Sequence, residues 1–555
     1  MPSTKVKKSL KKLWKIIKKK WPEEILVVFA FCFSWWLMWH TFGYKDSQML
    51  VTAKVWSDFA ANIPLIRSFS WGKNWPLEYP LFPGEPIKYH FLFYFLVGLL
   101  EKIGLPLNWA LNLPSTFGFF GLLIIIYSLA KLIFAKRIIA FLAVVFFLFN
   151  SSLSFLEFFR QHPLSLNTLS EIINNRNFPS FGPYDGKIIS AFWSLNIYTN
   201  QRHLGASYFF VILTIYLLLK SMKEEKKLKL WQILLISFLF GIMPFFHKVA
   251  FLMMVIILSL FFLFFAKLRR PILIIGLVAG ILAMPQIFYQ MGGNFRAVFF
   301  HPGYLVTYPL TLKKFFYYWF ENLGLSLILI PVGFWLSNKL AKKFFLAVLP
   351  LFLVGNLFQF SPEIAANHKF FNLFIIFGNM FSAFAICWVW RKKTLGKIIA
   401  PILFFLMIFS GIIDLFPIKN DIIYAIDDAP KNPDILWIKQ NTPPDAVFLN
   451  SSYLYHPASF AGRKIFLGWP YFPWSAGYDT WEREKIMKNI YENRNFQEIC
   501  RLLKENRIDY FTLENILNDP NLPKIETTFF QNNFKPSFKN PKSGMQIYSV
   551  KDNCF

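Results

Sequence analysis

Glycine-rich phosphate loops, zinc-ligand spacings and nucleophile–base triads are all missing from this chain. Their absence removes the usual short motifs of nucleotide-dependent and hydrolytic chemistry. Cysteine is scarce: Cys32, Cys387, Cys500 and Cys554 show no metal-ligand spacing. Two of them fall inside apolar runs, and a Cys500–Cys554 disulfide is left open as a pairing. Charge is scarce too, at 16% of residues, and Lys and Arg outnumber acids 59 to 31. The resulting +28 does not mark a nucleic-acid partner, because the lysines lie in short patches beside apolar runs. No internal repeat is apparent, and the period-2 alternation of a membrane barrel is absent.

Hydrocarbon is what the chain has in excess, with 55% of its 555 residues hydrophobic. Unbroken runs recur at 25–42, 111–126, 251–265, 344–357 and 398–413. With flanking aromatics, each approaches the ~20 residues that a hydrocarbon core of ~30 Å demands, so they read as membrane helices. Apolar segments are expected near 24–42, 90–103, 112–134, 137–150, 204–220, 231–246, 249–266, 271–290, 320–337, 344–359, 371–390 and 397–416. The short 90–103 segment is the best candidate for a half-crossing. Basic patches at 5–20, 131–137, 223–229, 267–270, 339–343 and 391–397 should face the cytoplasm. The N-terminal patch can also lie on anionic lipid. The first apolar run is too long for a signal peptide and has no small-residue cleavage site after it, so it reads as a retained span. The expected fold is an all-α polytopic membrane domain of about 11–13 transmembrane helices with a C-terminal extracytoplasmic α/β domain. Its divisions are 1–22, a basic cytoplasmic segment; 23–416, the membrane domain with an outer loop at 43–89; and 417–555. In the last region, strands are expected at 446–450, 464–467, 510–513 and 546–550, with helices at 433–441 and 481–506. Within the outer loop, 49–69 reads as an amphipathic stretch suited to the interface.

The polar residues worth weighing fall on the expected outer side. Asp46 and Asp58 follow the first span, and a carboxylate held in a partly dry cleft can act as a general base. Helix capping is the competing explanation, for which Ser57 and Asp58 are both suited. Asn200-Gln201-Arg202-His203 precedes a span; a guanidinium fork suits a phosphate, and a salt bridge to Asp185 competes. His247-Lys248 and Asn367-His368-Lys369 place cations at an outer boundary where no charge rule asks for them. Snorkelling competes there, most strongly for Lys248. Arg296 and the 301–304 segment lie in another outer loop, which needs polar residues in any case. Trp56, Trp71, Trp75, Tyr79 and Tyr89 could stack on sugars, although membrane interfaces attract the same residues.

Together these segments resemble the GT-C superfamily of membrane glycosyltransferases, which includes the dolichyl-phosphate-mannose-protein mannosyltransferase-like proteins, and within it a bacterial and archaeal branch. The resemblance rests on Ser57-Asp58 through Ile66-Arg67-Ser68-Phe69, on Pro80-Leu81-Phe82-Pro83-Gly84-Glu85-Pro86-Ile87-Lys88-Tyr89-His90-Phe91 and on Asn200-Gln201-Arg202-His203-Leu204. It continues through Pro244-Phe245-Phe246-His247, 437–446, 467–470 and 481–484. The resemblance implies inverting transfer of a sugar from a polyprenyl-phosphate-linked donor to an acceptor of unread identity outside the cytoplasm. The superfamily's first-loop base falls on Asp58 or Asp46, in a loop that lacks the adjacent Asp-Glu pair of the mannosyltransferases. Arg202, His203 and Gln201 would hold the carrier phosphate, with His247, Lys369, His90 and Lys88 assisting. No organic cofactor is implied, and the need for a divalent metal is unread. Expected surroundings are the plasma membrane and its lipids, without nucleic acid. Two other classes remain: a lipid or glycan transporter or flippase, which calls for charges near mid-membrane and Gly/Pro-broken helices in two halves, and a non-catalytic envelope assembly protein.

Overall fold

Hydrocarbon offers no hydrogen bonds to a backbone, so the apolar runs fold as helices that satisfy their own amides. The structure is a computed structural model that describes residues 4–180, 185–291, 298–514 and 522–555. Among the described residues, eight helices are long and apolar enough to cross a membrane: Trp21–Thr41, Leu107–Phe134, Leu204–Lys223, Met243–Phe264, Ala266–Met291, Lys339–Leu357, Ile364–Trp390 and Thr394–Lys419. Leu312–Leu323 and Ser326–Leu336 meet at 89° and form a ninth segment if joined. The apolar helices Arg137–Leu148 and Leu230–Gly241 have 12 residues each, ~18 Å of rise against ~30 Å of hydrocarbon. Leu92–Lys102 is shorter still, with 11 residues, and packs along the helix Trp56–Ser70. There Gly98 has no room for a side chain, because a Cβ would lie 2.8 Å from the Ile66 carbonyl oxygen.

The helix bundle has two unlike ends. At one end, Glu23 pairs with Lys131 at 2.9 Å and Arg137 at 2.8 Å. At the same end, Lys223 Nζ donates to the Leu132 carbonyl at 2.6 Å, Lys343 Nζ to that of Phe264 at 3.0 Å, and Lys267 pairs with Glu225 at 2.7 Å. The basic patches from 131 to 343 therefore converge. The other end carries the long connections and the C-terminal region.

There the first helix runs directly into a hairpin, Phe42–Lys45 with Gln48–Thr52, in register Phe42↔Val51. Asp46 and Ser47 turn it with φ of 51° and 56°, the backbone of a type I′ turn. Strand Ile423–Asp427 adds antiparallel to Gln48–Thr52. The expected amphipathic stretch at 49–69 is thus split. Its start is strand and its end is the helix Trp56–Ser70, because Gln48–Thr52 finds a partner strand far along the chain.

The C-terminal region is an α/β domain around a five-stranded sheet. Its order is Lys464–Ile465, Val447–Leu449, Tyr510–Leu513, Gln546–Ser549 and Phe538–Lys539. The first three strands are parallel and the last two antiparallel to their neighbours. Helix Pro433–Asn441 is capped by Asn432, which accepts from the Asp434 and Ile435 amides. The helix expected over 481–506 is two helices, Trp481–Tyr491 and Phe496–Glu505; the first ends at Tyr491, and Asn495 caps the second by accepting from the Glu498 amide. Cys500 and Cys554 form a disulfide that ties the second of these helices to the chain's end.

A buried ionic knot joins the domain to the bundle. Arg67 Nε lies 2.8 Å from Glu101 and Nη2 lies 2.6 Å from Asp428, with all three side chains nearly inaccessible. Tyr44 donates to Asp428 at 3.1 Å, Ser70 donates to Glu101 at 2.6 Å, and the Arg67 guanidinium lies over the Trp71 ring. Beside the knot, Gly72 and Gly462 touch backbone to backbone. A Cβ on Gly72 would fall 2.1 Å from the Gly462 oxygen, and Gly462 has a φ of +79°.

Candidate functional site

A cleft of about 350 Å³ opens between the bundle and the C-terminal domain. One wall is the helix Trp56–Ser70, which presents Ser57, Asp58 and Asn62. The loop before Leu92–Lys102 supplies Tyr79, Tyr89 and His90. Asn196, Asn200 and Gln201 come from the connection before Leu204–Lys223, and Lys248 comes from the start of Met243–Phe264. Glu363, Asn367, His368 and Lys369 line the floor at the head of His368–Trp390. The C-terminal domain closes the rim with Trp469, Tyr471 and Phe472.

Asp58 occupies the first turn of its helix, whose N-cap is Val55, and no side chain caps it. Desolvation by burial raises its pKa to about 6, while the nearby Lys369 ammonium pulls the other way. The carboxylate is thus mostly ionised at neutral pH and more basic than a free aspartate. Several carbonyl oxygens in the wall, Asn196 Oδ1, Asn200 Oδ1 and Gln201 Oε1, are buried without a hydrogen-bond partner among the described residues. Buried acceptors are seldom left so, and sugar hydroxyls are the complementary donors.

The cleft takes in some of the sequence candidates and leaves others outside. Asp58, His90, Gln201, Lys248 and Lys369 line it, and His203 and His247 sit directly against His90, with ring centroids 4.3 Å and 4.7 Å from it. Asp46 does not line it: it is an exposed turn residue of the hairpin, chosen because Asp tolerates a positive φ. Arg202 is buried in the bundle. Its guanidinium donates to the Met38 carbonyl at 3.2 Å, to Thr41 Oγ1 at 2.8 Å and to Asn112 Oδ1 at 3.3 Å. It thus ties the Met38 carbonyl and the Thr41 hydroxyl at the end of the first helix to Asn112, and serves neither a site in the cleft nor Asp185, which pairs with Lys187. Lys88 is held by Glu85 and lies over the Tyr478 ring. His301 lies away from the cleft lining beside Tyr308, and Arg296 lies outside the described residues.

The first-loop aromatics are also divided. Tyr89 lines the cleft, and Tyr79 reaches it while stacking on Tyr478. Trp56 packs on Tyr424 and Tyr455, Trp71 covers Arg67, and Trp75 is 75% exposed. Trp469 belongs to the 467–470 segment that carried the resemblance, whereas Glu363 and the 471–476 part of the rim were not singled out from sequence. Nothing local marks them: Glu363 caps the turn Ile364–Asn367 that leads into His368–Trp390, and only the docking of the C-terminal domain brings 471–476 to the cleft.

No family model matches the chain, and no curated protein matches it. Solved structures do. The apo oligosaccharyltransferase of Archaeoglobus fulgidus superposes with a TM-score of 0.52 at 12% identity, covering 90% of this chain and 70% of that one. The same archaeal enzyme tethered through a disulfide to an acceptor peptide containing the NVT sequon gives 0.52 at 12%, covering 96% and 74%. The chain therefore shares the fold of that archaeal enzyme, a polytopic helical domain with a C-terminal α/β domain.

Proposed function

We propose that this multi-pass membrane protein of GT-C fold transfers a sugar from a polyprenyl-phosphate-linked donor to an acceptor outside the cytoplasm, inverting the anomeric centre, with Asp58 as general base. The observation that carries this reading is the meeting of Asp58 with Lys369, Lys248, His90 and Gln201 in one cleft, although they come from distant parts of the chain. Asp58 accepts the proton of the acceptor hydroxyl as its oxygen bonds to the anomeric carbon. The bond from that carbon to the phosphate oxygen breaks on the opposite face, and the lipid phosphate leaves with the electron pair. Lys369 and Lys248 balance the phosphate charge. Asn196, Asn200 and Gln201 accept from sugar hydroxyls, and Tyr89 and Trp469 offer ring faces. The archaeal oligosaccharyltransferase fold supports glycosyl transfer as the reaction class.

The charge rule assigns the end bearing Glu23, Lys131, Arg137 and Lys343 to the cytoplasm. Reading the bent pair as one span, and each twelve-residue helix together with its flanking residues as one more, gives eleven crossings among the described residues; an odd number puts the two termini on opposite sides. Residues 1–22 are then cytoplasmic, 23–416 span the membrane, and 417–555 lie outside with the cleft. A cysteine at Asp46 should react with an impermeant maleimide in intact cells, and one at Lys227 only after permeabilisation. The reverse pattern contradicts the orientation. Purified protein given a panel of labelled polyprenyl-phosphate sugars should release labelled product or free sugar, and no turnover on any donor contradicts the enzyme.

A further inference from the structure

Three histidines from separate parts of the chain meet against the cleft. His90 leaves the loop before Leu92–Lys102, and His203 stands at the N-cap of Leu204–Lys223. His247 interrupts Met243–Phe264, where its backbone turns extended at φ −167° and ψ 92°. Ring centroids are 4.3 Å apart for His90–His203, 4.7 Å for His90–His247 and 5.1 Å for His203–His247. One ring nitrogen from each lies within 4.8 Å of the other two. All are deeply buried, at 4%, 0% and 0% exposure. Both nitrogens of His90, Nε2 of His203 and Nε2 of His247 have no hydrogen-bond partner among the described residues.

Four unpartnered imidazole nitrogens in one buried spot are costly unless something occupies the space between them. Neutral imidazole is a metal donor, and a set of three without carboxylates suits a borderline-soft ion better than magnesium or calcium. We propose that His90, His203 and His247 bind one divalent ion of the zinc class, with its open coordination position facing the cleft through His90. Three protein ligands and one open position is the arrangement of reactive zinc sites, not of purely structural ones. Tyr94 Oη lies 3.0 Å from Nδ1 of His203, which orients that ring with Nε2 as ligand. The Ala250 amide donates to Nδ1 of His247 at 3.2 Å, the one bond that coordination gives up. Zn–N bonds of about 2.0–2.1 Å hold donor atoms ~3.4 Å from one another in a tetrahedron, so binding draws together nitrogens that here lie within 4.8 Å of one another. Lys248 and Lys369 face His90 and oppose a cation, while Asp58 offsets Lys369.

The full-length chain, purified in detergent and stripped with chelator, should take up one Zn2+ or Co2+ per chain after dialysis, read by elemental mass spectrometry. The cobalt form should show the visible absorption of a tetrahedral nitrogen site. His90→Ala should weaken affinity at least ~10-fold, by the scale of metal-shell substitutions. His90→Ala removes a ring packed against Tyr89, His203 and His247 as well as a donor, so it should melt somewhat below the wild type, and His90→Gln, which keeps most of the bulk, should lose the metal in the same way. His203→Gln should lose the cobalt spectrum as well. Absence of uptake by the wild type, unchanged affinity in His90→Ala, or preference for Mg2+ over Zn2+ overturns the assignment. Metal content and spectrum do not depend on turnover, so this proposal and the transferase reading fail separately.

Discussion

The two ends of the helix bundle use charge in opposite ways. At the basic end, the ion pairs are partly wet: Glu23 is 21% exposed, and Lys131 and Arg137 are 42% and 41% exposed. Loops there are short, and the lysines divide between carbonyls that end helices and partly exposed carboxylates. At the cleft end, Arg67, Glu101, Asp428 and Lys369 are buried and Asp58 and Lys248 half-buried; these charges come from distant stretches and include a carboxylate held near pKa 6. Burying charge costs several kcal/mol per ion unless it is paired. The chain meets that cost only at the end with the long connections and the second domain. Charge at the basic end orients the protein; charge at the cleft end is placed for binding and chemistry.

The comparison breaks first if the buried charges are dispensable. Arg67→Met leaves Glu101 and Asp428 facing each other without a cation, and should cost about 3–5 kcal/mol, seen as a large drop in the melting temperature of purified protein. A change under about 1 kcal/mol would show the knot to be no tighter than a surface pair. A smaller effect sharpens the role of the cleft cations. Asp58 must be ionised to act, so activity should fall as pH drops through about 6. Lys369→Met removes a charge that lowers the Asp58 pKa, so the acid limb should move to higher pH. The donor KM should rise roughly 10-fold, the worth of about 1.4 kcal/mol of lost phosphate contact. An unmoved limb would separate Lys369 from Asp58. The smallest effect belongs to the basic end, where Glu23→Gln should change stability by less than about 1 kcal/mol. A larger loss there would erase the difference between the ends.

Much of this was legible in the sequence, and the illegible part has a common cause. Apolar runs announce their helices through length alone, and strands such as Tyr510–Leu513 and Gln546–Ser549 through short apolar blocks between polar ones. The pairing of Gln48–Thr52 with Ile423–Asp427 is invisible because nothing local encodes a partner so far away. Arg202 shows the same limit: an arginine on the outer side suggests a phosphate, yet its actual partners are carbonyl and side-chain oxygens at the end of the first helix. Asp46 and Asp58 look alike in sequence, and only the hairpin sends one to solvent and the helix sends the other into the cleft.

That separation allows the most direct test of the account. Single-turnover transfer from a labelled polyprenyl-phosphate sugar should be compared for wild type, Asp58→Asn and Asp46→Asn under identical conditions. Asp58→Asn should lose about 10²–10⁴-fold in rate while melting no lower than wild type at neutral pH, because the substitution removes a carboxylate that burial penalises. Asp46→Asn should retain its rate, since Asn tolerates the same turn backbone. Full activity in Asp58→Asn, or collapse in a folded Asp46→Asn, would contradict the assignment of the base and with it the function proposed for the cleft.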